Sequence, residues 1–179
     1  MAVDKGEGFR VMIGMIACMA SNGVIGKDGK MPWGNGFKDD LAFFKKYTMG
    51  KTVVMGRKTY RSLPGGKPLS GRINIVVSRH STLSDYPAGV MLYDSPESVV
   101  EYATTGGQWV VVLGGGELYR SFLDKADELM LTVIRKKYDG DTYFPEWDNI
   151  DKIFPVRKRV GGGKDDKIGS YTIYKYTRK

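Results

Sequence analysis

The sequence predicts an α/β fold. Short runs of branched and apolar residues are apolar at nearly every position, as in strands covered on both faces of a mostly parallel sheet. Helix-like stretches lie between these runs, and strand–helix–strand order is the pattern of an α/β domain. Only the last two segments alternate polar and apolar residues, which suggests an antiparallel hairpin at a sheet edge.

The elements follow in order. Residues 1–10 are polar and contain glycine, so they are expected to form a loose extension before a single domain over 11–179. "VMIGMIACM" at 11–19 is the first strand. It lies in the only signal-like segment, which is preceded by Asp4 and Glu7 and is too short to span a membrane. A helix over about 40–48 leads to the strand "TVVM" at 52–55, then a helix over 57–62 to "INIVVS" at 73–78. The next helix, 95–104, opens on Ser95-Pro96-Glu97: an N-cap, a proline at the first helical position and an acidic first turn. "WVVVL" at 109–113, a helix over 116–124 and "ELMLTVI" at 128–134 complete the alternation. "IFPVRKRV" and "SYTIYKYT" then form the hairpin arms, with "GGGKDDKIG" between them.

Composition bounds the function. The 179 residues suit one domain with one sizeable core, and 41% are apolar, as in globular proteins. A net charge of +8 favours anionic partners. The basic residues are scattered in twos and threes, as in Arg157-Lys158-Arg159, so solubility is the plain reading of that charge. No nucleic-acid motif accompanies it, and no specific nucleic-acid or membrane partner is expected. One cysteine, Cys18, excludes an internal disulfide; with one histidine, His80, no metal site is expected. The expectation is a monomer in a reducing, cytoplasmic compartment.

Three constellations could carry chemistry. In "VVVLGGGELYRSFL" at 110–123, three glycines join a strand to a helix. They permit close backbone approach, and the helix start offers free N–H groups to an anion; a tight strand–helix turn is the alternative. "TVVMGRKTYRSL" at 52–63 repeats the pattern with Arg57 and Lys58 in the first turn. Cations there oppose the helix dipole unless an anion sits beside them. A third strand ends in "SRH" at 78–80. Ligands of open α/β sheets lie beyond the strand C-termini, so these three ends suggest one polyanionic, nucleotide-like ligand. Solvated surface charge is the alternative for Arg57, Lys58 and Arg79.

The third constellation is "GFKDDLAFFKK", two acids before an apolar helix. A helix starting near 39–40 puts Asp40, Phe44 and Tyr47 on one face. Asp39 could cap the helix while Asp40, desolvated, holds a cationic or amidine-like group through two parallel hydrogen bonds. The alternative exchanges the roles, with Asp40 capping and Asp39 in solvent. From these residues alone the exchanged reading is favoured.

At this point the sequence resembles the dihydrofolate reductase family. "VIGKDGKMPW" at 24–33, "DLAFFKKYT" at 40–48, "VVMGRKTYRSL" at 53–63, "KPLSGRINIVVS" at 67–78, "VLGGGELYRSFL" at 112–123, "LTVI" at 131–134 and "GDTYFP" at 140–145 stand in that family's order and spacing. The resemblance covers residue 11 to the C-terminus. It implies a central, mainly parallel eight-stranded sheet with an antiparallel C-terminal strand and flanking helices. It implies an oxidoreductase in which NADPH passes a hydride to C6 of dihydrofolate while N5 gains a proton, giving tetrahydrofolate.

Site residues are carried over by motif. Asp40 matches the acid of the pterin pocket, with Thr132 and Trp33 assisting through water; the resemblance thus turns Asp40 inward and leaves Asp39 nearer the cap. Ile16, Cys18, Leu41, Phe44, Leu63 and Leu113 match apolar pocket walls. Arg72 matches the arginine that pairs with the substrate's α-carboxylate. Met31 lies in the mobile loop, and Tyr119 is expected near the reacting rings. Gly114, Gly115, Gly116 and Glu117 match the pyrophosphate turn, with a non-proline cis peptide expected at Gly115-Gly116. Arg57, Lys58 and Thr59 match a second phosphate-binding helix start. Ser78 and Arg79 match the 2′-phosphate site, which predicts NADPH over NADH. Ala20, Ile25 and Gly56 complete the expected cofactor contacts. Antifolates are possible ligands.

The sequence departs from the family in places. "GNGFKDD" after Pro32-Trp33 is about two residues longer than in many bacterial members, and Cys18 replaces a more usual small apolar residue. Asp rather than Glu at 40 is the bacterial or phage-like choice. A same-fold reductase of riboflavin synthesis shares the cofactor side but lacks the "MPW…DLAFFK" side. A non-catalytic scaffold is the competing class, against which the intact Asp40, Thr132 and glycine turn argue.

Overall fold

The computed structural model describes residues 12–178. The expected N-terminal extension lies outside them. Ten strands and five α-helices are described: β1 Ile13–Ala20, β2 Val24–Gly26, α1 Lys38–Thr48, β3 Thr52–Gly56, α2 Arg57–Arg61, β4 Ile73–Val77, β5 Val90–Tyr93, α3 Pro96–Gly106, β6 Val110–Val112, α4 Gly116–Phe122, β7 Glu128–Ile134, β8 Thr142–Tyr143, α5 Ile150–Ile153, β9 Val156–Asp165 and β10 Gly169–Thr177.

Eight strands form one sheet in the order β5-β4-β3-β6-β1-β7-β10-β9, and β2 pairs with β8 apart from it. The β1, β3, β4, β5, β6 and β7 pairings are all parallel. β10 runs antiparallel to β7 and to β9. This is the expected sheet, with its antiparallel C-terminal strand.

Strand alternation splits the core in two. Met15, Ala17, Met19, Leu129 and Leu131 pack with residues of α3 and α4, including Val99, Ala103, Leu118 and Phe122. On the opposite face Ile16, Val111 and Met130 meet Phe43, Phe44 and Tyr47 of α1. Val53, Met55 and Val76 meet Tyr60 of α2. α1 and α2 thus cover one face, and α3 and α4 the other. α3 begins as its sequence dictates: the Ser95 side chain accepts from the Ser98 N–H, and Pro96 takes the first helical position.

Three details differ from the sequence reading. The glycines 161–163 belong to β9 and pair with Ile173, Thr172 and Tyr171, so the hairpin turn shrinks to residues 166–168. The glycines are accommodated because they lie beneath those side chains: a Cβ at 161 or 163 would stand 3.2 Å or 3.0 Å from Ile173 or Tyr171. α1 begins at Lys38 with Phe37 in the cap position and no side-chain cap bond. Neither aspartate is therefore the cap; both occupy the first turn, where the dipole favours acids. The short strands β2, β5 and β8 were not expected.

Candidate active site

The parallel strands end on one side of the sheet, and the candidate site gathers there. β3 and β6 are held side by side at their ends. The Leu113 N–H donates to the Val54 carbonyl at 2.8 Å, and the Gly56 N–H to the Gly114 carbonyl at 2.8 Å. Gly114 has φ +105, and a Cβ there would lie 2.9 Å from the Tyr119 ring, so backbone and ring both require glycine. The peptide bond that is cis joins Gly114 to Gly115. This corrects the expected Gly115-Gly116 by one residue. Gly116 already begins α4, with Gly115 in the cap position, so the turn is completed before it.

The acid stands over the sheet's centre. Cys18 of β1 and Thr132 of β7 are register partners, and Thr132 is also opposite Ile173 of β10. Asp40, from the first turn of α1, reaches the Thr132 hydroxyl. Burial pushes its carboxyl up to about 6, and the Thr132 hydrogen bond holds it back from rising further. The Cys18 thiol beside it is pushed well up, first by burial and then by the Asp40 charge. Cys18 is therefore a neutral thiol, packed against the cluster of Phe37, Ile134, Tyr171 and Ile173.

Asp39 faces differently. It accepts a hydrogen bond from the Tyr171 hydroxyl at 2.7 Å, tying the helix start to β10. The Tyr171 phenol is pushed up to about 12, by burial first and then by its bond to Asp39, so it stays a donor. Tyr119 is buried, and its hydroxyl lies 2.6 Å from the Ile16 carbonyl and 2.8 Å from that of Leu113. That hydroxyl is engaged by the backbone, and the ring packs on Phe144 at 5.1 Å.

The remaining expected residues divide between two regions. Ile16, Phe44 and Leu113 share one cluster on the α1 side of the sheet; Trp33 packs against the Phe37–Tyr171 cluster and makes an edge contact with Tyr138 at 5.6 Å, and Met31 is half-buried in the loop before α1. Leu63 belongs to the cluster beneath α2, which Leu113 joins to the Ile16 cluster. Leu41 is 43% exposed on α1. Arg72 lies near the end of that helix, donating from Nη1 to Thr48 Oγ1 at 3.1 Å and from Nε to the Ser70 carbonyl at 3.0 Å.

The second region is the glycine turn. A Cβ at Gly115 would stand 3.5 Å from Thr59 Oγ1, and one at Gly116 3.9 Å from Ile25. Gly56, Thr59, Gly114, Gly115, Gly116 and Ile25 are thereby one neighbourhood, with bare backbone where side chains would fill the space. Arg57 and Lys58 open α2, whose first turn has no acid. Glu117 is exposed in the first turn of α4, and Ala20 is buried at the end of β1. Ser78 follows β4; its N–H donates to the Tyr93 carbonyl at 2.9 Å and its hydroxyl lies 2.9 Å from that of Ser81. Arg79 beside it is exposed. Glycine-lined backbone flanked by cations fits a dinucleotide phosphate chain.

The sequence did not point to Tyr171 or Tyr138, and it placed Thr48 beside the Asp40 face without a role. Tyr171 and Tyr138 belong to later segments, so nothing in local spacing links them to α1. Thr48 offered a faint signal, a hydroxyl on the helix edge eight residues after Asp40.

Fold and site together define an α/β protein with a half-buried acid and a glycine turn at the strand ends. The sequence matches the family described as dihydrofolate reductase over residues 12–178. It is 46% identical over 148 residues to dihydrofolate reductase of Haemophilus influenzae, covering 82% of this chain and 88% of that protein. It is 38% identical over 172 residues to dihydrofolate reductase HdrB of Haloferax volcanii, covering 92% and 82%. Its fold is similar to dihydrofolate reductase from Enterococcus faecalis complexed with NADP(H) and RAB-propyl. That similarity has a TM-score of 0.77 and 33% identity, covering 94% of this chain and 97% of the other. The chain belongs to the dihydrofolate reductase family.

Proposed function

We propose that the protein reduces 7,8-dihydrofolate to 5,6,7,8-tetrahydrofolate with NADPH, supporting one-carbon and thymidylate metabolism. The observation that carries this reading is Asp40, a half-buried acid pushed up to about 6 whose charge bears on Tyr119, the ring that lies against Gly114 of the glycine turn. NADPH, when bound, supplies the hydride taken up at C6 of the substrate.

The chain's own residues do the rest. Asp40 accepts two parallel hydrogen bonds from the pterin's 2-amino group and adjacent ring nitrogen, which fixes the ring. Its carboxyl near neutrality favours protonation at N5, with water relaying the proton, and Thr132 and Trp33 orient that water. Ile16, Phe44, Leu63 and Leu113 exclude solvent from the ring. Arg72, held by Thr48, receives the α-carboxylate. The Met31 loop closes the site. Arg57, Lys58 and Thr59, the glycine turn and the Ser78–Arg79 pair hold the dinucleotide. An antifolate with an amidine-like group would occupy the same carboxylate. The protein acts as a monomer.

The test is NADPH oxidation with dihydrofolate, run for the parent and Asp40→Asn. Turnover that needs both substrates, collapses about 100-fold or more in the variant near neutral pH and partly recovers in acid is the expected result. Equal rates for the two proteins would remove Asp40 from the reaction.

A further inference from the structure

α1 is fastened to β7 at a second point, away from the reacting groups. The Tyr47 hydroxyl donates to Glu128 Oε1 at 2.6 Å. Glu128 is 2% exposed, and its other oxygen pairs with Lys175 Nζ at 2.5 Å. Lys51 lies over the Tyr47 ring at 3.9 Å and the Trp109 ring at 4.1 Å, and it donates to the Tyr47 carbonyl. Tyr47 and Trp109 share the apolar cluster of Ile16 and Leu113, while their polar contacts run to Glu128 and Lys51.

The spacing relates this contact to Asp40. Tyr47 follows Asp40 by seven residues, two helical turns, so the two side chains share a face about 10 Å apart. Glu128 precedes Thr132 by four residues, so these two share a sheet face about 13 Å apart. Asp40–Thr132 and Tyr47–Glu128 are therefore two rungs between an antiparallel helix and strand. Gly14 makes the lower rung possible. It is the register partner of Glu128, and a Cβ at Gly14 would stand 2.9 Å from the Tyr47 oxygen. Its φ is not in the left-handed region, so glycine is needed here for the close approach of the phenol.

We infer that the Tyr47–Glu128 hydrogen bond is a positioning device for the catalytic acid, fixing the height and rotation of α1 so that Asp40 meets the Thr132 hydroxyl. The proposal rests on the reading of Asp40 given above. The groups facing Asp40 are Thr132 on β7, Cys18 on β1, Tyr119 on α4 and Tyr171 on β10. Those facing Glu128 are Tyr47, Lys51 and Lys175. Burial and the bond to Glu128 push the Tyr47 phenol far up, so it remains a donor at every working pH. The lower rung therefore persists while Asp40 titrates.

The experiment is an NMR titration of the Asp40 carboxyl carbon in the protein without ligands, the resonance being assigned by its loss in Asp40→Asn. Tyr47→Phe removes one oxygen and keeps the ring. It is expected to raise the Asp40 midpoint by about half a pH unit or more, because the Thr132 bond that lowers it is loosened. In a Thr132→Val background the same change should have no effect on the midpoint. Glu128→Gln keeps an acceptor for Tyr47 and should not raise the midpoint. Gly14→Ala displaces the phenol by a different route and should reproduce the Tyr47→Phe shift, which covers the case of an unfolded Tyr47→Phe. A midpoint unchanged in Tyr47→Phe, or raised equally in the Thr132→Val background, overturns the proposal. The readout does not depend on turnover, so a failure of the proposed reaction would show separately, in the NADPH assay.

Discussion

Asp40 is a residue whose placement costs stability. Its carboxyl is raised to about 6 by burial, against an ordinary value of 3.8. Between these values the folded state binds a proton that the unfolded chain does not. Stability therefore falls as pH rises from about 4 to above 6, and the cost persists at neutral pH. The difference amounts to about 2–3 kcal/mol. Asp40→Asn removes that cost. It is expected to unfold at higher urea than the parent at pH 7.5, with the gain shrinking to nothing near pH 4; urea titrations at the two pH values check this. The sequence made two acids visible but could not separate them. Local patterning favoured the wrong one, and only the resemblance turned Asp40 inward. The deciding partners, Thr132 and Tyr171, lie more than 90 residues away along the chain. That is why spacing alone did not contain the answer.

Elements set the cofactor side. α2 opens with Arg57 and Lys58, which the helix dipole disfavours unless an anion balances them. Arg79 extends the same positive region past the end of β4. Replacing Arg57 and Arg79 with Ala is expected to weaken NADPH about tenfold or more while changing NADH little, since only the former carries a 2′-phosphate. Fluorescence titrations with the two dinucleotides measure the ratio; equal losses would overturn the assignment. The strands at 52–55, 73–78, 109–113 and 128–134 were legible because burial on both faces writes continuous apolar runs. β2 and β8 escaped because strands of three and two residues leave no periodicity. β9 was cut short because glycine ordinarily signals a turn, whereas here its missing side chains make room for those of β10.

At the scale of the whole molecule the sheet has two edges, β5 and β9. β9 exposes Val156 and Val160, 49% and 42% accessible, on an open strand. Arg157, Lys158 and Arg159 stand between them, and the register with β10 skips Val160, a bulge that bends the edge. Charge and bulge together discourage another strand from docking. Lys158→Thr with Arg159→Thr is expected to produce self-association that grows with protein concentration, where the parent sediments as one species. Part of the +8 charge thus has a local purpose. The sequence showed its sign and scatter, but only the strand order reveals that three of the basic residues guard an edge.

The placement of β10 has a consequence for biosynthesis. β7, which carries Thr132, is flanked by β1 from the beginning of the described chain and by β10 from its end. β10 also delivers Tyr171 to Asp39, and Arg178 just beyond it donates to the carbonyls of Leu123, Ala126 and Ile153. A nascent polypeptide emerging from the ribosome can therefore stack β1, β3, β4 and β6 early, yet it leaves one side of β7 bare until residues 169–177 have been released. Until then the acid-bearing helix lacks its anchor on β10. The start of α1 is thus fixed by a strand made well over a hundred residues after it, so a polypeptide stalled before residue 169 would hold most of its sheet with α1 unanchored on β10.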